Sequence, residues 1–598
     1  MGLYGCRTAF FSICFAICLN FAPAVGVAGW HDIHQWLIGH QDLERGDPRS
    51  VGSSTTAASV SGEQRISGAQ SSSRGETAIR VNRWEPRRIV AASKNLPPGA
   101  PQQVYSGAQM AIFYSSDGGA SWGQSYLPWA AGDTFMGDPS VDWTSDGTAW
   151  ATIIGVNGGY GLVVRAYKST DGGATWTLDS ALSPPAGDKE MMWVDHSATS
   201  PFKDNLYVVW DVNGLGMMAR RIGATGIWQA PTQVGSGAGM DIKTNQYGDV
   251  FVFSPGSQPG VTKSTDGGAS FASTVRITTT ITSIGWLLVP ANNKRGVLVY
   301  VVGGAWRTAT RNEVYAAWND LSGDPGCTSG SGPGSDTTSA CKTRIWFARS
   351  TDGGSTWAPP VKINDPAGLD DQFFPWLAVD DTTGRIAVSY YGTLGDPSRT
   401  SVNVYYQSSA DGGQSWGSPI KVSSAATNET TSGASWFQFG DYAGMDGYGG
   451  VFFPAWTDRR SGGPEEIWTA AIHDGDGGLF FYTLPPCRVL DTRGGTPLTS
   501  AKTALVQVAG RCGIPADAKA VSANWTIVQP QGQGFLAVYP GDGQVPMIST
   551  LDYGPGQVRA NNGMALLAGD GSGTVHALAT VSGGGTTDLI LDVNGYFK

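Results

Sequence analysis

One short pattern occurs five times in this chain, and it restricts the fold more than any other feature. It reads Ser116-Asp117-Gly118-Gly119-Ala120-Ser121-Trp122 in its first copy and recurs at Thr170–Trp176, Thr265–Phe271, Thr351–Trp357 and Ala410–Trp416. A serine stands just before each copy, at Ser115, Ser169, Ser264, Ser350 and Ser409. Asp-Gly-Gly supplies the positive φ angles of a tight hairpin turn, and the short aspartate side chain accepts nearby backbone N–H groups. Each copy therefore predicts the tip of a β-hairpin, with the Ser or Thr hydroxyl tying the turn down and the aromatic packing beside it. Asp117, Asp171, Asp266, Asp352 and Asp411 are read as turn-formers, since the turn already accounts for their chemistry.

The copies lie roughly 55, 95, 85 and 60 residues apart, against about 50 residues for one four-stranded repeat unit. The longest step hides a unit that has lost its Asp but kept its aromatic, at Arg221–Trp228. The next step contains a Gly/Ser/Asp-rich insertion with Cys327 and Cys341. A short apolar strand also recurs once per unit, at Arg88–Ser93, Thr148–Ile154, Leu206–Asp211, Asp249–Phe253, Val314–Asp320, Arg385–Tyr391 and Val451–Asp458. Seven such strands predict seven units. The last unit lacks a hairpin box and needs an outer strand, which residues in the 60s could supply to close a ring without free edges.

The repeat resembles the Asp box of the sialidase and BNR-repeat families, S-x-D-G-x-[ST]-W, with one extra residue before the Ser or Thr. That resemblance implies a β-propeller over residues 76–473, with the boxes on turns between outer strands, away from the ligand mouth. Seven blades are expected from the repeats, and six is the alternative because sialidases have six. A composition change at Asp474–Gly478 opens a different region. Alternating segments at Gly534–Pro540 and Val575–Val581 read as strands of a β-sandwich over 479–598. Its Pro486-Cys487-Arg488 opening and Asp592-Val593-Asn594-Gly595-Tyr596-Phe597 close resemble a C-terminal module of secreted bacterial proteins.

Composition agrees with an exported, all-β chain. Arg7, the apolar run Ala9–Ala22 and the small residues after it form a secretory leader over 1–28, followed by a polar linker over 29–75. No later segment is long and apolar enough to span a bilayer. Cys6, Cys14 and Cys18 lie in the leader, which leaves Cys327, Cys341, Cys487 and Cys512 to form two disulfides outside the cell. Zinc is the alternative, but there is no C-x-x-C pair. The net charge of −10 argues against nucleic acid, and it means that an anionic ligand would need local arginines.

Ligand sites in such rings lie on the loops that enter and leave the inner strands. Polar segments there single out Asp138, Glu190, Asp441, Tyr442, Asp458 and Arg459. The alternative for each is a strand-end turn. The resemblance implies an exo-sialidase type of glycoside hydrolase acting on extracellular glycans: three arginines holding a carboxylate, a Tyr nucleophile with a Glu partner, and an Asp acid. The R-I-P signature of that family is absent, the nearest string being Arg88-Ile89-Val90. A non-catalytic propeller that binds glycan or protein at the cell surface is therefore carried as the alternative. A monomer is expected. No cofactor is implied, although Asp365–Asp371 and Asp474–Asp476 leave structural calcium open beside a reading as solvated turns.

Overall fold

The computed structural model describes residues 58–98, 107–157, 161–182, 187–279, 286–328, 330, 332–431, 436–475, 481–546 and 548–598. The expected leader and the first part of the expected linker lie outside them. Within the described residues the chain is all-β, with only short 3₁₀ turns at Glu429–Thr431 and Ser582–Gly584. No helix among them is long and apolar enough to cross a membrane.

Residues 59–473 form seven four-stranded antiparallel sheets and one two-stranded hairpin. The seven recurring apolar strands are the second strands of these sheets, from Ile89–Leu96 in the first to Val451–Asp458 in the seventh. Each first strand contacts the first strand of the next sheet, and Gly444–Tyr448 of the seventh contacts Ser73–Val81 of the first. Six of these first strands line a cavity of about 20 Å³, filled by side chains such as Arg80, Trp193 and Lys243.

The fourth strand of the seventh sheet is Ser59–Arg65, which pairs with Glu466–His473. It falls in the stretch expected to be linker, as do the first residues of Ser73–Val81. An edge strand with one solvated face needs few apolar residues, so Ser59-Val60-Ser61 reads as polar coil in sequence. Ile66 just beyond it is buried against Ile79 and Phe453.

All five boxes sit on the turn between the third and fourth strands of a sheet, and each is closed by the same serine, aspartate and glycine bonds, to which only the first two add an indole bond, from Trp122 and Trp176. Ser115 Oγ donates to Asp117 Oδ1 at 2.8 Å, while Asp117 accepts Ser121 N–H at 2.9 Å and Ser121 Oγ–H at 2.5 Å. Gly119 N–H donates back to Ser115 Oγ at 2.9 Å, and the Trp122 indole N–H reaches Gly119 O at 3.1 Å. Partial burial opposes ionisation of Asp117, but the accepted bonds outweigh it and hold the carboxyl below its usual range. The second glycine of each box faces the preceding sheet. Gly119 lies against Phe453, Gly173 against Tyr114, Gly268 against Tyr207, Gly354 against Val261 and Phe251, and Gly413 against Phe347. The box is thus both a turn and a seam between sheets.

In the tail, a five-stranded and a four-stranded sheet share one core of residues between Val489 and Val593. The expected strands appear as Gly534–Pro540 and Thr574–Val581. Both disulfides form, Cys327–Cys341 and Cys487–Cys512.

Two glycines with the same φ of 79° separate turn strain from seam packing. A Cβ on Gly118 meets nothing within 4 Å, whereas one on Gly413 would lie 2.3 Å from the Phe347 ring. Gly118→Ala is expected to destabilise by about 1 kcal/mol, and Gly413→Ala by about 2–4 kcal/mol. Urea unfolding of the two variants measures the difference, and equal losses would remove the seam role.

Candidate functional site

The first strands of four sheets carry a bulge near their start. Their registers shift between Gly75 and Thr77, Gly137 and Ser140, Asp188 and Met191, and Phe373 and Trp376. At each shift a non-glycine residue adopts positive φ: Glu76 at 57°, and Asp138, Lys189 and Phe374 at 50°. Such conformations cost on the order of 1–2 kcal/mol each, and bulges re-aim side chains at rims and sites. Here the bulges in the first, second and third sheets direct Glu76, Asp138 and Lys189 toward one region. Asp441 and Tyr442, just before the seventh sheet, join them.

A hairpin inserted between the fourth and fifth sheets, Trp286–Val289 with Asn292–Leu298, completes the region. Gln438 Oε1 accepts the backbone N–H of Lys294 at 3.1 Å and of Arg295 at 3.0 Å, which anchors the hairpin tip across the mouth. The disulfide-closed insertion supports the hairpin from behind, with Gly334 N–H donating to Leu288 O at 2.9 Å. Arg399 holds that insertion by donating to Ser339 O and Cys341 O, each at 3.0 Å.

Together these elements line a cleft of about 650 Å³, within the usual range for a small-ligand site. One wall is apolar, built from Ile154, Val156, Leu162, Leu298 and Val299. The polar lining includes Asp138, Asp188, Asp441, Lys94, Lys189 and Arg295. Arg295 holds Asp441 in a fork, Nε to Oδ1 at 2.6 Å and Nη2 to Oδ2 at 2.7 Å, and Nη2 also reaches Glu76 Oε1 at 3.2 Å. Lys94 donates to Glu76 Oε2 at 3.2 Å. The Lys189 ammonium lies 3.5 Å from the centre of the Tyr442 ring and 5.6 Å from that of Tyr300.

Behind this lining sit Glu190 and Tyr442. Neither Glu190 carboxylate oxygen nor the Tyr442 hydroxyl has a hydrogen-bond partner among the described residues. Burial pushes Glu190 well above the usual carboxylate range, Asp138 adds to the shift and Lys189 opposes it. Burial likewise raises Tyr442 well above an ordinary phenol, with Asp138, Glu76 and Glu190 adding to the effect. Asp138 is half-buried, and desolvation raises it despite Lys94 and Lys189.

Four of the six site residues expected from sequence therefore come together: Asp138 and Asp441 in the cleft, and Glu190 and Tyr442 just behind it. Asp458 and Arg459 do not join them. Asp458 is held by Arg460, with Nε at 2.8 Å and Nη2 at 2.5 Å, and Arg460 also reaches Glu63 at 2.8 Å. Arg459 braces a loop through Thr431 Oγ1 at 2.6 Å and Gly463 O at 3.2 Å. Sequence reasoning missed Glu76, Lys94, Lys189, Arg295, Tyr300 and Trp286. Its usable signals were Glu76, one of only nine glutamates in the chain, and Lys189 beside Glu190.

Three arginines do not converge here. Arg295 is the one arginine among the described residues lining the cleft, and it is already matched by two carboxylates. The acidic loops raised as calcium candidates are also matched by cations: Asp365 pairs with Arg344, Asp371 with Arg399 and Asp474 with Arg385. No His, Cys, Asp and Glu group among the described residues is arranged to hold a metal ion.

No family profile matches the chain, and no curated protein matches it. Among solved structures, a protein of unknown function from Dyadobacter fermentans aligns at 14% identity over 70% of this chain and 98% of its own, with a TM-score of 0.38. The NanB sialidase of Streptococcus pneumoniae aligns at 9% identity over 58% and 68%, with a TM-score of 0.36. A Trypanosoma rangeli sialidase aligns at 11% identity over 91% and 96%, with a TM-score of 0.36. Similarity at this level assigns no activity to the chain.

The raised pKa of Glu190 fixes a pH dependence. Between the ordinary glutamate value near 4.3 and its raised folded value, the folded state holds a proton that the unfolded state has lost, so stability falls as pH rises, by about 1.4 kcal/mol per unit at most. Glu190→Gln removes that loss. The melting temperature of the variant relative to wild type is expected to climb as pH rises above the ordinary glutamate value. A flat difference over that range would mean that Glu190 ionises normally.

Proposed function

We propose that residues 76–473, completed by the strand Ser59–Arg65, form one closed seven-bladed propeller, and that 479–598 form a separate β-sandwich module. The continuous contact of first strands around seven sheets supports this reading. So does the separate core of the tail. The two disulfides and the leader expected from sequence support reading the protein as one exported from a bacterial cell.

The cleft is the functional mouth of that ring, and its best-supported use is as the active site of a sialidase-like glycoside hydrolase on extracellular glycans. The observation that carries this is the convergence of Asp138, Glu190 and Tyr442, three groups whose protonated forms are favoured by burial, at one mouth built from bulged strands. Asp138 lines the cleft and, being raised by desolvation, suits the role of acid toward a leaving glycosidic oxygen. Tyr442 with Glu190 behind it supplies the phenol and carboxyl pair that a covalent route uses. Asp441 acts through Arg295 and positions the hairpin.

The exo-sialidase form of this reading needs a carboxylate clamp, and a lone, already paired Arg295 gives it little support. A second reading, glycan binding without turnover, is favoured by a specific observation. Glu190 is 0% and Tyr442 3% exposed, and burial keeps both protonated, the forms least able to act as base and nucleophile.

Turnover of a panel of aryl glycosides, sialosides included, separates the two. Asp138→Asn is expected to lower kcat by about 10²–10⁴-fold with the fold intact, and Tyr442→Phe to abolish covalent turnover. If the wild-type protein cleaves nothing in the panel yet binds glycan saturably, the hydrolase reading fails and the binding reading stands.

A further inference from the structure

We infer that the cleft takes a sugar that carries no carboxylate, and that Trp286 is the platform on which that sugar lies. The inference rests on the reading of this cleft as a glycan site and names its substrate class.

The charges around the cleft exclude an acidic ligand. Asp138, Asp188 and Asp441 line it, with Glu76 behind them, against Lys94, Lys189 and Arg295. Each cation already has a partner. Arg295 is forked onto Asp441 and touches Glu76. Lys94 is on Glu76, with the rings of Phe135 and Phe437 at 4.9 and 5.5 Å. Lys189 faces the Tyr442 and Tyr300 rings. A ligand carboxylate entering here would have to break one of these pairings and settle beside Asp138 and Asp188, in a chain whose net charge is already −10. Hydroxyl groups meet the opposite situation. Asp138 and Asp188 are acceptors at the cleft surface, and hydroxyls are donors.

Trp286 gives the recognition its apolar half. It starts the inserted hairpin, lines the cleft and is 50% exposed. One part of its indole rests on the hairpin backbone at Gly296, where φ is 83° and a Cβ would come within 2.9 Å of the ring. Only glycine allows the ring to lie down at that position. Its remaining surface lies opposite Leu298 on the paired strand, and with Val299 it adds apolar surface to a cleft that Asp138 and Asp188 also line. The C–H face of a pyranose fits such a surface while its hydroxyls reach the acids.

Calorimetric titration of the full chain with methyl glycosides of galactose, glucose, mannose and fucose, and in parallel with N-acetylneuraminic and glucuronic acids, tests this. At least one neutral glycoside is expected to bind, and the acids to bind at least about ten-fold more weakly or not at all. Trp286→Ala is expected to weaken the neutral ligand by about ten-fold or more. Gly296→Ala, which lifts the ring without removing it, is expected to weaken it as well, with melting temperature used to confirm folding. Binding of an acidic sugar that depends on Trp286 would overturn the inference and leave the glycan site standing. Neutral binding untouched by both substitutions would overturn the platform. No binding by any sugar would overturn both the inference and the reading beneath it. Binding without turnover would remove only the hydrolase assignment.

Discussion

The architecture depends on one contact repeated from sheet to sheet: a backbone glycine at a hairpin tip pressed against an aromatic or aliphatic side chain of the preceding sheet. The aspartate and serine of each box close the turn, but the turn alone would not say which sheet comes next. The second glycine does. Its positive φ brings bare backbone to the neighbour: an added Cβ would clash with Phe347 at Gly413, press tightly on Phe453, Tyr114 and Tyr207 at Gly119, Gly173 and Gly268, and just touch Val261 and Phe251 at Gly354. A local turn motif thereby becomes a rule for assembling sheets in order. The unit without a box shows how much of the motif is dispensable. There the backbone of Trp228 bridges to that of Arg221, while its indole N–H donates to Asp179 of the preceding sheet at 3.0 Å and its ring packs on Trp150, so the aromatic still joins two sheets when the aspartate is gone.

This explains what the sequence made legible. Box chemistry is complete within seven residues, and the second strands are continuous apolar runs, so both could be read without knowing the fold. The edge strand Ser59–Arg65 was legible only through the unit it completes, because the last unit lacked an outer strand; its own exposed face needs no pattern, and its bounds within the polar stretch came only from pairing with Glu466–His473. The site was half legible for the same reason. Asp138, Glu190, Asp441 and Tyr442 announce themselves through dense polar segments at strand starts. Arg295 does not, because its meaning comes from Asp441, which only topology brings to it. Asp458-Arg459-Arg460 looked equally dense, but Arg460 turns back onto Asp458 two residues away and leaves nothing for a ligand. Density of charge marks a site only where the charges are not satisfied locally.

Strain is distributed by the same logic. The seams use glycine wherever positive φ is needed, so the ring is held without penalty. The mouth instead places Glu76, Asp138 and Lys189 in that conformation. Three residues that could each have been glycine carry functional side chains at a strained position, and each strain coincides with a register shift that turns the side chain out of the sheet. Structures keep such outliers where surrounding packing over-determines them. Here the surroundings are the Arg295 fork, the Lys94 bridge and the hairpin braced by the disulfide loop.

That bracing also sets the electrostatics of the mouth. Because Arg295 neutralises Asp441 and part of Glu76, the acids at the cleft surface face no competing guanidinium, while burial raises Glu190 behind them well above the usual carboxylate range. Releasing the hairpin would free a cation and expose two more carboxylates at once, changing the sign of what the cleft attracts. The loop stapled by Cys327–Cys341 lies well away from Arg295 in sequence, yet through Leu288 it braces the hairpin that carries this arginine. The charge balance of the cleft is therefore a property of how an insertion is anchored, as much as of the residues that line it.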